Sequence, residues 1–192
     1  MQKNPLLSVP YYSQRDSQSG HAWRMCYSSS NAMLLQTLKP GTLKGPNGDD
    51  EYLKTVFKYG DTTSADAQIR ALRDFGINAQ FRTNLEWADV DAQLEKGIPV
   101  PIGILHHGKL GGQLSGGHWF IIIGKKSNDT GTVNDDQYIV HDPYGELDLI
   151  NGGYPGSHNG QKLLYSRKNL TPRWQVNGTR GWGIIAQKPK GA

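Results

Sequence analysis

The chain has 192 residues, 24 of them glycine, with 20% charged residues and a formal net charge of +4 at neutral pH. That composition fits one loop-rich globular domain and excludes a disordered or low-complexity chain. A single cysteine excludes an internal disulfide and a multi-cysteine zinc site, and no run approaches the ~20 apolar residues of a membrane span.

The opening segment, Met1-Gln2-Lys3-Asn4-Pro5-Leu6-Leu7, lacks the apolar stretch of a secretory signal, so synthesis in the cytoplasm is expected. Val9-Pro10-Tyr11-Tyr12 reads as an extended lead-in, and a polar loop follows from Ser13 to Arg24. An apolar helical run begins at Cys26 and reaches Leu38, where Lys39-Pro40-Gly41 stops it. Gly45 to Gly48 is a turn. Asp49-Asp50-Glu51 then place acids at the start of a second helix, Tyr52 to Tyr59, where the dipole favours negative charge. Ser64 caps a third helix in which Ile69, Leu72 and Phe75 form one apolar face, with Gly76 as its stop. A strand near Ile77 to Arg82 and a short helix from Trp87 to Lys96 follow.

From there the pattern changes. Ile98 to Leu105, His118 to Lys125, Gln137 to Val140 and Trp182 to Gln187 are short β-branched or apolar runs between Gly, Asn and Asp turns. Helices first and an antiparallel sheet second make an α+β layout of one domain over residues 1–192. Gly152-Gly153-Tyr154-Pro155-Gly156 and Asn159-Gly160 belong to a long excursion of the kind that lines clefts. Positive residues are scattered, apart from Ser166-Arg167-Lys168-Asn169 and Lys188-Pro189-Lys190, as on an ordinary solvated surface.

Three positions carry the chemistry. Cys26 opens a helix, where unpaired N–H groups and the positive dipole end favour a thiolate; on position alone it is equally a nucleophile or a small buried hydrophobe. His118 opens an apolar strand beside Gly116-Gly117, small residues that leave room for a substrate at a general base, although a surface histidine fits as well. His106 and His107 are read as solvated or cleft-rim residues. Asp142 closes the next strand before Pro143-Tyr144-Gly145, which alone is turn chemistry. Antiparallel pairing of the two strands sets the carboxylate beside the imidazole, as the orienting group of a triad with Cys26. The Cys26 N–H and the Gln14 side-chain amide are candidate donors to an oxyanion.

Taken together, the motifs resemble the papain-like peptidases of cysteine peptidase family thirty-nine, in its transporter-free branch. The resemblance rests on Val9-Pro10-Tyr11-Tyr12-Ser13-Gln14, on Cys26 with Ser30-Asn31-Ala32-Met33, on Gly117-His118-Trp119 and on Asp142-Pro143-Tyr144-Gly145. It departs at Tyr27, where many relatives have glycine, so the pocket beside the nucleophile is expected to differ in shape. What the resemblance implies is a papain-like fold, with an N-terminal helical half packed on a C-terminal antiparallel sheet, and catalysis by Cys26, His118, Asp142 and Gln14 without metal or cofactor.

Later segments, among them Gly145-Glu146, Asn151-Gly152-Gly153-Tyr154, Arg173-Trp174 and Gly181-Trp182, are similar to bacteriophage lysis proteins of that family. This implies a peptidoglycan endopeptidase whose partners are bacterial wall peptides, not nucleic acid or a stably bound membrane. A chain of this kind is compatible with action on the wall after release through a membrane lesion, a monomer being favoured and the oligomeric state left open. Two other readings stay open: a protein or leader-peptide protease with the same triad, and a non-catalytic wall-binding module. Asp49-Asp50-Glu51 admit a structural calcium, but helix capping explains them and their spacing lacks an EF-hand loop.

Overall fold

The computed structural model describes residues 4–128, 132 and 135–189. Met1–Lys3, at the opening of the chain, and Lys190, in the last basic cluster, lie outside the described residues. Five helices run α1 Cys26–Leu38, α2 Gly48–Val56, α3 Ala65–Asp74, α4 Trp87–Glu95 and α5 Arg167–Trp174. Six strands run β1 Ala79–Leu85, β2 Val100–His107, β3 Ser115–Lys126, β4 Gln137–His141, β5 Leu163–Ser166 and β6 Gly181–Ala186. They form one antiparallel sheet in the order β1-β6-β2-β3-β4-β5.

The expected α+β architecture holds, with a finer arrangement than helices on one side. Alternation along the central strands sends successive residues to opposite faces. Ile121 and Ile123 of β3 belong to one apolar cluster with α1, α2 and α3, whereas Phe120 and Ile122 belong to another with Trp87, Val90 and Leu94 of α4 and Leu170 and Trp174 of α5. The sheet is thus the middle of three layers. β5 and α5 were not expected. Ser166 caps α5, its Oγ accepting from Asn169 N, but Pro172 inside the helix reads as a breaker and the preceding strand has only four residues.

α1 is buried on every side, Tyr27 to Leu35 included, because it lies between the sheet and α2 and α3. Its polar first turns therefore need internal partners. Ser29 Oγ donates to Asp49 Oδ2 at 2.6 Å, and Ser28 Oγ bonds Thr62 Oγ1 at 2.7 Å. Gln68 of α3 is the hub of this layer. Its Nε2 donates to Ser28 Oγ at 2.7 Å and Thr62 O at 2.8 Å, and its Oε1 accepts from Asn31 Nδ2 and Tyr52 OH, both at 3.0 Å.

Replacing Gln68 with Leu strips four buried bonds at once. An expected destabilisation of about 2–4 kcal/mol follows from leaving those polar groups unpaired, to be read by chemical denaturation; a loss within experimental error would show that water replaces the amide.

Candidate active site

Cys26 is the first residue of α1, and the residue before it, Met25, provides no side-chain cap. That end of the helix borders a cleft of about 720 Å³, lined in part by Gln14, Arg15, Trp23, Cys26, His118 and Tyr144. The thiol is partly exposed in that cleft, not sealed in the core.

His118 was expected to open its strand; it stands inside β3, three residues past Ser115, paired with Ile104 of β2. Its Nε2 donates to Asp142 Oδ1 at 2.8 Å, and the Cys26 side chain lies near enough to the ring to raise its proton affinity. Burial by itself would lower the imidazole's proton affinity. The Asp142 charge, the Cys26 side chain and the hydrogen bond to Asp142 outweigh it and raise the pKa from 6.5 to about 10. The buried ring is therefore held as an imidazolium between sulfur and carboxylate.

Asp142 follows directly after β4 and is fully buried. Besides His118, its Oδ1 accepts from Tyr144 N at 3.0 Å, and its Oδ2 accepts from Tyr154 OH at 3.1 Å and Tyr165 OH at 3.2 Å. Burial, and then the Asp142 charge, raise both phenols well above the usual tyrosine range, so they remain donors. The backbone is pinned as well: Asp142 N donates to Gly160 O at 2.8 Å and Tyr11 OH donates to Asp142 O at 3.1 Å. A Cβ at position 160 would overlap the Asp142 carbonyl oxygen, so glycine is needed there.

Gln14 lies in a short 3-10 turn, Gln14–Asp16, held over the cleft by Gln14 N donating to Pro143 O at 2.9 Å. Its Nε2 donates to Ala22 O at 2.7 Å, which uses one of the two amide hydrogens and fixes the direction of the other. Tyr27, at the position of departure from the family pattern, stacks on Trp119 with centroids 3.7 Å apart and planes 6° from parallel. That stack joins the neighbour of Cys26 to the neighbour of His118.

Sequence reasoning missed Tyr154 and Tyr165 as partners of Asp142. Tyr154 sat in a glycine-rich excursion already recognised as cleft-forming, whereas Tyr165 lay in an unexpected strand. It also placed His106 on a loop, but β2 extends through His107. His106 sits in the cleft with its ring 5.6 Å from His118, and Nδ1 donates to Gly116 O at 2.9 Å. Burial, and then the His118 charge, lower its pKa to about 4, so it is neutral. The acids Asp49 and Asp50 serve as anchors, Asp50 accepting from Gln18 N at 2.7 Å and from Ser17. Among the described residues no group of three or more His, Cys, Asp or Glu is arranged to hold a metal.

The model of the peptidase C39-like family matches residues 6–154, a span that includes Gln14, Cys26, His118 and Asp142. The chain belongs to that family. C39-like members are cysteine peptidases, and this chain takes its place among those hydrolases. Several solved structures resemble it, three of which follow. A C39-like peptidase from Bacillus anthracis is 13% identical, with 97% of this chain and 99% of that one covered and a TM-score of 0.59. The double-glycine-motif protease of an AMS/PCAT transporter, solved with its leader peptide, is 16% identical over 98% of this chain and 100% of that one, with a TM-score of 0.51. The peptidase domain of Streptococcus ComA, a bifunctional ABC transporter of a quorum-sensing pathway, is 16% identical over 85% and 90%, with a TM-score of 0.50. At these identities the likeness establishes the papain-like fold. None of the curated proteins matches the sequence. Among the described residues no helix is long and apolar enough to cross a membrane.

The raised proton affinity of His118 has a consequence for stability. Because the folded-state pKa lies above the unfolded value of 6.5, the stabilisation is complete below about pH 6.5 and is lost as pH rises toward about 10. The stability difference between the protein and His118→Gln, measured by denaturation across pH 6 to 10, is expected to shrink with rising pH. A difference independent of pH would contradict an imidazolium between Cys26 and Asp142.

Proposed function

We propose that the chain is a thiol endopeptidase that cuts peptide bonds of bacterial peptidoglycan. The observation that carries the catalytic part is the buried His118 ring, bonded to Asp142 and lining one cleft with Cys26. The Cys26 sulfur attacks the carbonyl carbon and forms a C–S bond. The resulting oxyanion accepts hydrogen bonds from the Cys26 N–H and from the uncommitted Gln14 Nε2 hydrogen. His118 then gives its proton to the leaving amine as the C–N bond breaks. Water, relieved of a proton by the same ring, cleaves the thioester and returns the thiol. Asp142, itself held by four donors, keeps the imidazole in one orientation and stabilises its charge.

The wall substrate is supported by the likeness of the later segments to bacteriophage lysis proteins and by the net positive charge, which suits anionic wall polymers. The wide, partly cationic cleft is consistent with it: the Arg15 guanidinium lies 4.1 Å from the Tyr144 ring centroid, with its Nε donating to Tyr144 O. A second reading, cleavage of a leader peptide, is favoured by the fold's likeness to a protease solved with such a peptide.

Cys26→Ala is expected to abolish lysis of purified walls with the fold intact, and Gln14→Ala to lower kcat by about 10²–10³-fold. Turbidity loss together with mass spectrometry of the released fragments reads both. Residual lysis by Cys26→Ala refutes the mechanism. New amino termini that arise only from added protein substrates, and never from walls, favour the leader-peptide reading instead.

A further inference from the structure

A second groove opens on the far side of His118, and its position relative to the nucleophile gives it a role. β2 pairs with β6 through Ile102↔Gly183 and Gly103↔Trp182 alone. β2 then continues to His107, whereas β6 begins at Gly181, so no paired strand flanks the end of β2 on that side. The space there is a groove of about 660 Å³, walled by Ile104, Leu105, Trp119, Trp174, Val176 and Trp182. Trp182 is 54% exposed, an unusual state for an indole, and is held edge-on to Phe81 at 5.7 Å. Trp174 Nε1 donates to Trp182 O at 2.9 Å, which fixes that wall.

The two cations at the groove are already engaged. Arg173, fully buried, donates to Leu149 O at 2.7 Å, Leu105 O at 3.1 Å and Gly108 O at 2.8 Å, and Arg180 is ion-paired with Glu86. What the groove offers a ligand is therefore apolar and aromatic surface, in contrast to the polar cleft over Cys26.

The groove and the cleft share Gly117, His118 and Trp119, but Cys26 lines the cleft alone. In the proposed reaction the leaving amine receives its proton from His118, so the amine side of the substrate lies on the histidine side of the sulfur. Gly117 is the saddle between the two spaces. A Cβ built there meets nothing within 4 Å, which leaves an unobstructed path for a peptide backbone.

We infer that the β2–β6 groove binds the amine-side portion of the peptide substrate and selects an apolar, preferably aromatic, side chain there. The inference rests on the hydrolase reading for the direction of the chain, not for the binding itself. Two arms of one experiment separate them.

In the first arm, the tryptophan indole N–H resonances of the full-length Cys26→Ala protein are followed by NMR as amino-acid amides are added. Phenylalaninamide is expected to shift Trp119 and Trp182 and to bind about tenfold or more tightly than glycinamide or glutamic acid α-amide. Trp182→Ala, a change at an exposed side chain, is expected to remove that preference with the circular dichroism spectrum unchanged. Equal binding of the three amides, shifts confined to Trp23 in the other cleft, or an unaffected Trp182→Ala protein would overturn the inference.

In the second arm, phenylalaninamide is added while wild-type protein digests walls. Its free amine attacks the thioester, a C–N bond replaces the C–S bond, and His118 takes the amine's proton and returns it to the sulfur. Phenylalaninamide-capped fragments are expected by mass spectrometry, at least severalfold fewer with glycinamide or with Trp182→Ala. Binding in the groove without capped fragments would remove the amine-side assignment. Release of no fragments at all would refute the wall-peptidase reading while leaving the groove's selectivity as measured in the first arm.

Discussion

A carboxylate removed from water persists only where donors replace its hydration, and Asp142 is supplied with four of them. One donor is the His118 ring; the others are the Tyr144 N–H and the phenols of Tyr154 and Tyr165. The requirement reaches well beyond the site. Tyr154 comes from the long excursion after β4 and Tyr165 from β5, so satisfying one carboxylate draws the loop over the sheet and secures the edge strand. Tyr165 also accepts from Leu147 N at 2.8 Å, which ties the excursion's root to the same point. The loops that shape the cleft are in this sense folded around a charge. Removing a single donor would leave the others to hold the carboxylate, whereas removing the carboxylate would orphan several buried groups together.

Cys26 arrives by a different route. α1 is clamped by apolar packing on all sides and by the Gln68 network at its first turns, so its N-terminus has little freedom to move. The Tyr27–Trp119 stack then couples that terminus to β3, one residue from Cys26 and one from His118. Large flat contacts of this kind resist sliding, and they fix the sulfur-to-ring distance without a bond between the backbones. The glycine expected at position 27 would leave that side of Trp119 open. The bulkier residue trades open space beside the sulfur for a fixed relation between the two layers.

Much of this was legible from the residues. α1 begins at Cys26 and ends at Leu38, where its stop signals stand, and Ser64 caps α3 as its position implies. Cys26, His118 and Asp142 each had an ordinary structural explanation taken singly, and Gln14 in its loop signified nothing alone; only their combination marked a site. What local pattern could not supply was where long-range hydrogen bonds go. Tyr165 belongs to a four-residue strand followed by a helix that contains Pro172, and nothing nearby in sequence points to a partner 23 residues away. Nor could it show that α4 and α5 cover the opposite face, since periodicity marks an apolar side without naming the layer it meets. Asp49 illustrates the same limit. Read as a helix-capping acid, it is instead fully buried against Ser29, and burial raises its pKa to about 7.

The central claim is that one imidazole, charged and buried, bridges Cys26 and Asp142. Nitrogen NMR of the His118 ring across pH 5 to 11 tests it most directly. Both ring nitrogens should stay protonated through neutral pH and lose the proton only near pH 10, and Asp142→Asn should bring the transition down toward the ordinary histidine range. A wild-type ring that titrates near 6.5, indifferent to Asp142, would contradict the account.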